Sequence, residues 1–223
     1  MKEFDRLISI IRKLRGPKGC PWDKAQKIEN YKKFLLEEAY ELIDEMDNAD
    51  PDAIKEELGD LFLILTVITE MLREKGAFDC EAVLKGINNK LIYRHPHVFG
   101  AKKLGTKEEV LKYWIRHKAK KKKRKVICDR LPRMAPALFL ADLFFKEYSH
   151  IHENEGDQVD QRMILKEISE GAAGLAKAKN TDAAFRRLLF SLAKLGFLRQ
   201  VDLESLLRKE VFRRAKRVRY THK

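Results

Sequence analysis

Apolar residues recur at helical spacing along almost the whole chain, and the interruptions fall at glycine, proline and acidic turns. Leu7, Ile8, Ile11 and Leu14 share one face of an opening amphipathic helix, which Gly16, Pro17, Gly19 and Pro21 bring to an end. A second helix is expected over residues 30–46, burying Leu35, Leu42, Ile43 and Met46 on one side. Asp50, Pro51 and Asp52 read as N-cap, N1 and N2 of a third helix. Proline suits a first turn, and carboxylates suit the positive end of the helix dipole. This third helix carries LFLILTVIT, residues 61–69, apolar nearly all round. Such a helix must be covered on several sides, by a bundle or by a second subunit. A fourth helix is expected over residues 79–94, stopping at His95-Pro96, and four more over 135–148, 161–177, 182–195 and 202–217. No segment shows a convincing strand or hairpin pattern. The expected class is all-α.

Composition narrows this without overturning it. A chain of 223 residues has room for one large domain or two small ones, at roughly 150 residues per domain. Its 44% hydrophobic content supports a core and argues against wholesale disorder. The charge is unevenly spread. The first 100 residues carry 16 Lys/Arg against 19 Asp/Glu, and the rest carry 31 against 15, so the net charges are −3 and +16. Between the halves runs KAKKKKRK, residues 118–125, with seven basic residues in eight. A block of this kind repels itself and usually ends a compact unit, although it equally suits a phosphate backbone. The expected division is therefore 1–117, a basic linker 118–130, and 131–223. Cys20, Cys80 and Cys128 are scattered and odd in number, which fits neither a disulfide framework nor a CxxC motif. No stretch approaches the ~20 apolar residues of a membrane span, and the amino terminus lacks a signal-peptide pattern. A reducing cytoplasm is the expected setting.

Candidate chemistry concentrates in the acidic half. LEEAYELIDEM supplies Glu37, Glu38 and Glu41, and KEELGDLF supplies Glu57 and Asp60. Residues three apart share a helix face, so Glu38/Glu41 and Glu57/Asp60 form two acidic pairs. Two helices joined by a turn near residues 47–50 would lie antiparallel and bring the pairs together. Four converging carboxylates repel one another unless a cation sits among them. Oxygen ligands without His or Cys select a hard ion, Mg²⁺ or Mn²⁺. The alternative is that these acids are solvated surface residues; the apolar neighbours Leu42, Leu58 and Leu61 favour a core-facing position.

The motifs resemble a known family. EExxE at Glu37–Glu41 followed by ExxD at Glu57–Asp60 is similar to the signature of the MazG-type nucleoside triphosphate pyrophosphohydrolases. LRGPKGCPWDKAQ, residues 14–26, resembles the family's LRxPxGCPWDxxQT, with Lys27 where threonine is usual. KLIYRHPHVFG, residues 90–100, resembles KLxRRHPHVFG, with Tyr93 in place of the first arginine. The resemblance is dense over residues 5–125. It implies all-α domains that dimerise and use Mg²⁺, with Mn²⁺ a possible substitute, to cut nucleoside triphosphates into monophosphate and pyrophosphate. That would cleanse the nucleotide pool or trim nucleotide signals. It also implies metal binding by Glu38, Glu41, Glu57 and Asp60, with Glu37 in support. Lys90 and Arg94, four apart on the fourth helix, are candidates to meet the polyphosphate; an ordinary basic helix end is the alternative. Trp114, in YWIRHK, matches a position that in the family can lie near the base, or else it packs against the bundle. Trp22 reads as structural, pinning the glycine/proline loop, and His95 and His97 as helix-end packing.

The second half reads as a degenerate repeat. LPRMAPALFLADLF, from Leu131, resembles the start of a second family domain. EGAAG, residues 170–174, stands where EExxE belongs, and AFRR, residues 184–187, where ExxD belongs. Glu38, Glu41, Glu57 and Asp60 then correspond to Gly171, Gly174, Ala184 and Arg187. Those side chains cannot hold a hard cation. Arg213 and Arg217 keep the spacing of Lys90 and Arg94. A structural, dimer-fixing role is favoured for this half. The competing function is nucleic-acid binding through residues 118–223, which would weaken steeply with salt.

Overall fold

The computed structural model describes residues 2–113, 126–151, 160–175 and 181–218, and among these the chain is helical, with no strand. It divides into two compact units, residues 1–104 and 105–223. The division falls before the 117/118 boundary expected from charge. Residues 107–113 are helical, and Leu111 lines a cleft with Leu138, Phe139 and Phe197 of the second unit. The basic block 118–125 lies outside the described residues.

The first unit comprises α1 (Lys2–Arg15), α2 (Pro21–Ala25), α3 (Tyr31–Asn48), α4 (Pro51–Glu74), α5 (Cys80–Arg94) and α6 (Pro96–Phe99). The stretch expected only to break α1 also starts a short helix, because Pro21 sits at its first turn. Gly19 is required there: a Cβ would lie 2.0 Å from the Leu14 carbonyl oxygen. Ala49, in the left-handed region at φ 58°, turns the chain between α3 and α4. Asp50 then caps α4, its carboxylate accepting the Asp52 and Ala53 amides at 3.0 and 3.4 Å. The cap read from the sequence is thus present, and it sets α4 back along α3. Asp79 caps α5 through the Ala82 amide at 2.9 Å.

Ile11, Tyr31, Ile64, Val67 and Met71 form the buried core of this unit, with Leu7, Ile28, Phe34, Leu35 and Ile68 packed against it. Ionic contacts fasten α1 to α4. Glu70 is fully buried and accepts two hydrogen bonds from Arg12, at 2.8 and 3.1 Å, and one from Arg73 at 2.6 Å. Burial opposes its ionisation, yet the bonds from Arg12 and Arg73 outweigh burial and hold its carboxyl below the ordinary value. Arg15 makes a two-pronged pair with Glu74 at 2.9 and 2.8 Å, and donates to the Asp23 carbonyl at 2.6 Å. The expected burial of Ile43 and Met46 is not observed: they are 39% and 61% exposed. Each of α3 and α4 turns one face to its neighbour, and among the described residues of the first unit the outer stripe stays exposed.

The second unit contains a 3₁₀ turn (Ile127–Arg130) and α7 (Ala137–Ile151), α8 (Gln161–Leu175), α9 (Thr181–Leu198) and α10 (Leu203–Ala215), all within about a turn of the sequence-based limits. Helix α9 packs on both α7 and α8, and α10 packs on α7. Phe145, Ile164 and Ala193 are buried, and Phe144, Phe145, Phe190 and Phe197 form a ring cluster with centroids 4.9–6.0 Å apart. An Arg130–Glu147 ion pair ties the turn to α7.

Candidate metal centre

The antiparallel pairing of α3 and α4 brings Glu38 and Glu41 opposite Glu57. One carboxylate oxygen from each lies within 4.8 Å of the other two; Glu38 and Glu57 are half-buried and Glu41 is exposed. Burial is the main cause of a raised Glu38 carboxyl pKa, followed by the negative charges of Asp60, Glu41 and Glu57. Burial likewise leads for Glu57, whose carboxyl is raised further by Glu41 and Asp60. No lysine or arginine is among the charges that shift either group most. Glu57 Oε2 is moreover buried with no hydrogen-bond partner. A desolvated carboxylate oxygen without a donor, set among like charges, is an unfavourable arrangement. A hard divalent cation bound at the group removes both penalties at once, since it takes oxygen ligands and cancels the repulsion. The donor set therefore fits a metal.

Of the four expected ligands, three are gathered. Asp60, one turn beyond Glu57, is outside the group of three, but its charge acts on both Glu38 and Glu57. Glu37 is exposed and gives the smallest of the charge effects named on Glu38. On α5, Lys90 is exposed and Arg94 half-buried at the last turn. Trp114 lies outside the described residues. His95 Nδ1 meets the Leu91 carbonyl at 2.7 Å, with the His97 ring 5.6 Å away, which suits the helix-end packing expected of the pair.

Trp22, expected to pin the glycine/proline loop, meets the Phe34 ring of α3, with centroids 6.4 Å apart. It is 58% exposed and stands at the rim of a cleft of about 250 Å³, also lined by Tyr31, Phe34, Leu63 and Glu38. The cleft thus shares a wall, Glu38, with the carboxylate group. A tryptophan in a glycine/proline loop was its one trace in the sequence, and it gave no direction.

In the second unit, Gly171, Gly174, Ala184 and Arg187 line one cleft between α8 and α9, together with Glu167 and Glu170. The two acids there have partners: Ser191 donates to Glu167 at 3.3 Å, and Lys166 approaches Glu170 at 3.8 Å. Arg186 and Arg187 donate to the Asp182 and Ala183 carbonyls of their own helix, at 3.3 and 3.4 Å. Among the described residues, no second group of acids suited to a metal occurs.

Comparison with known proteins bears on the same residues. A family model for the MazG nucleotide pyrophosphohydrolase domain matches residues 26–99, the stretch that holds all four expected ligands. A nucleoside triphosphate pyrophosphohydrolase/pyrophosphatase MazG of Thermotoga maritima is 38% identical over 211 residues, covering 92% of this chain and 80% of the relative. A nucleoside triphosphate pyrophosphohydrolase of Escherichia coli is 36% identical over 155 residues, 68% of this chain and 59% of that protein. One of Mycobacterium tuberculosis is 32% identical over 136 residues, 60% and 41% respectively. Among the described residues, no helix is long and apolar enough to cross a membrane. With its acidic helix pair inside the matched segment and a relative aligned along most of its length, the chain belongs to the MazG family of nucleotide pyrophosphohydrolases.

Proposed function

We propose that the first unit hydrolyses nucleoside triphosphates to nucleoside monophosphate and pyrophosphate, using Mg²⁺ (or Mn²⁺) held by Glu38, Glu41, Glu57 and Asp60. The observation that carries this reading is the orphaned Glu57 oxygen within a group of three converging carboxylates. The names of the aligned relatives support the reaction. When bound, the ion supplies neutralising charge for the polyphosphate and Lewis acidity at the reacting centre.

The chain's own residues do the rest. Helices α3 and α4 hold the carboxylates on a rigid hairpin, which fixes the reacting groups better than a loop would. Glu38 and Glu57 are the half-buried members of the group, and as ligands they would be held ionised against the ion. Glu37 adds negative charge at the edge. Lys90 and Arg94 supply positive charge for the departing pyrophosphate. The second unit, with glycine, alanine and arginine at the matching positions, serves structure rather than chemistry.

A homodimer completes this reading. Leu36, Tyr40 and Ile43 on α3, Phe62 and Leu65 on α4, and Leu84, Ile87 and Leu91 on α5 are exposed apolar residues at three- and four-residue spacing. Stripes of this kind mark a surface that another protein covers. Removing one acid tests the assignment. Glu41→Gln should abolish pyrophosphate release from a panel of triphosphates, resolved by chromatography with and without Mg²⁺, while circular dichroism stays native. Wild-type turnover in that variant would overturn it.

A further inference from the structure

We infer that the cleft between α8 and α9 is an anion site, in which Arg186 and Arg187 hold the oligophosphate group of a nucleoside triphosphate or of pyrophosphate without a metal ion. It goes beyond the hydrolase reading and does not depend on it. The cleft spans about 1030 Å³, room for a whole nucleotide. Gly171, Gly174, Ala184 and Arg187, which answer to Glu38, Glu41, Glu57 and Asp60, all line it, so α8 and α9 form the counterpart of the carboxylate hairpin. What differs is the sign of the charge. Arg187 stands where Asp60 does, and Arg186 where Gly59 does. Over these five positions the formal charge is −4 in the first unit, from four carboxylates, and +2 in the second, from two arginines. A polyphosphate meets the first site only with a cation between them. In the second site the cations belong to the chain. A guanidinium is planar, stays charged at every working pH and pairs with two phosphate oxygens at once.

Local bonding leaves the arginines ready for a ligand. Nε of Arg186 donates to the Asp182 carbonyl at 3.3 Å and Nε of Arg187 to the Ala183 carbonyl at 3.4 Å. Both are long bonds within the helix, and they leave the Nη groups over; among the described residues neither guanidinium pairs with an acid. The acids of the cleft are engaged elsewhere, Glu167 with the Ser191 hydroxyl at 3.3 Å and Glu170 with Lys166 at 3.8 Å. The wall from α8 is bare at its glycines: a Cβ on Gly174 would meet nothing within 4 Å. Leu188 and Phe190 add apolar surface from α9, against which a nucleoside can lie. Binding of this kind makes and breaks no bond, which accords with a unit that lacks metal ligands.

The test uses the full chain with a chelator present and no added metal. Pyrophosphate, a nucleoside triphosphate and a nucleoside monophosphate are each titrated by calorimetry. Saturable binding of pyrophosphate or the triphosphate, one per chain and tighter than the monophosphate, is the expected result; no binding of either overturns the proposal. Affinity separates the two sources. Equal binding assigns the site to the phosphate chain alone, and tighter binding of the triphosphate brings in the Phe190 wall. Arg186→Ala/Arg187→Ala should weaken binding roughly tenfold or more, the scale of one lost hydrogen bond between charged groups. Both residues are exposed, so this variant should keep its native circular dichroism. Lys121→Ala/Lys122→Ala, in the basic block, should change binding little; an equal loss in the two variants marks nonspecific attraction and overturns the proposal. Excess Mg²⁺ should weaken binding, because it neutralises the phosphate, whereas the carboxylate group needs the ion. Binding that appears only with Mg²⁺ overturns the proposal, and so does a response to an oligonucleotide with none to pyrophosphate or triphosphate.

Discussion

The α3–α4 and α8–α9 pairs are built alike, two amphipathic helices side by side, and they part company in what their facing surfaces carry. In the first pair three carboxylates converge, two of them raised in pKa by burial and by one another, and one oxygen is left without a donor. In the second pair the corresponding positions are two glycines, an alanine and an arginine, and the neighbouring acids are bonded to Ser191 and Lys166. Among the described residues, the second pair gathers no group of three acids suited to a metal. The first pair retains an arrangement that costs stability in the isolated chain, and a function that needs the charge explains why.

Removing a member of the first group should have the largest effect. Glu57→Gln is expected to cut pyrophosphate release roughly a hundredfold or more, the scale on which a single electrostatic group at a reacting centre acts. Removing an acid beside the second pair, Glu170→Gln, should leave the rate alone; steady-state kinetics on both variants checks the contrast, and equal losses would break it.

Glu70 extends the comparison within the first unit, since it too is a buried acid but has cationic partners on both sides. Glu70→Ala removes the hydrogen bonds from Arg12 and Arg73, whose own side chains are partly exposed and can rehydrate, and should cost about 1.5–3 kcal/mol of unfolding free energy, measurable by urea titration. A cost near zero would mean that the pairs contribute nothing net.

pH separates the two kinds of acid by sign. Glu38 and Glu57 have raised values, so in the ion-free protein their contribution to stability is present in acid and lost as pH rises through those values. Glu70 has a lowered value, so its contribution is present at neutral pH and lost as pH falls through that value. Protons compete with a cation for Glu38 and Glu57. The stabilisation by Mg²⁺, read as a rise in melting temperature, should therefore grow from the carboxylate range towards neutrality, reaching about 2.7 kcal/mol at a hundredfold excess over the dissociation constant. Scanning calorimetry with and without the ion checks it; a pH-independent increment would count against the site.

The smallest effect belongs to the second pair. A Cβ on Gly174 would meet nothing within 4 Å, and the residue lies inside α8. Gly174→Ala should stabilise the chain by about 0.5–1 kcal/mol with activity unchanged. Destabilisation would show that the glycine is kept for a close neighbour.

What the sequence by itself determined is the local part. The helical period, the Asp50-Pro51 and Asp79 helix starts and the two acidic i,i+3 pairs all follow from residues a turn or less apart, so local chemistry decides them. Only the tertiary structure decided which of these residues meet. It gathered Glu38, Glu41 and Glu57 and left Asp60 a turn away. It buried Glu70, which in sequence is one acid in an apolar run, between arginines from two helices. It left Ile43 and Met46 bare, and opened a cleft beside Trp22. These outcomes depend on how helices lie across one another. That placement is set by packing between residues far apart in the chain, to which a local period is blind.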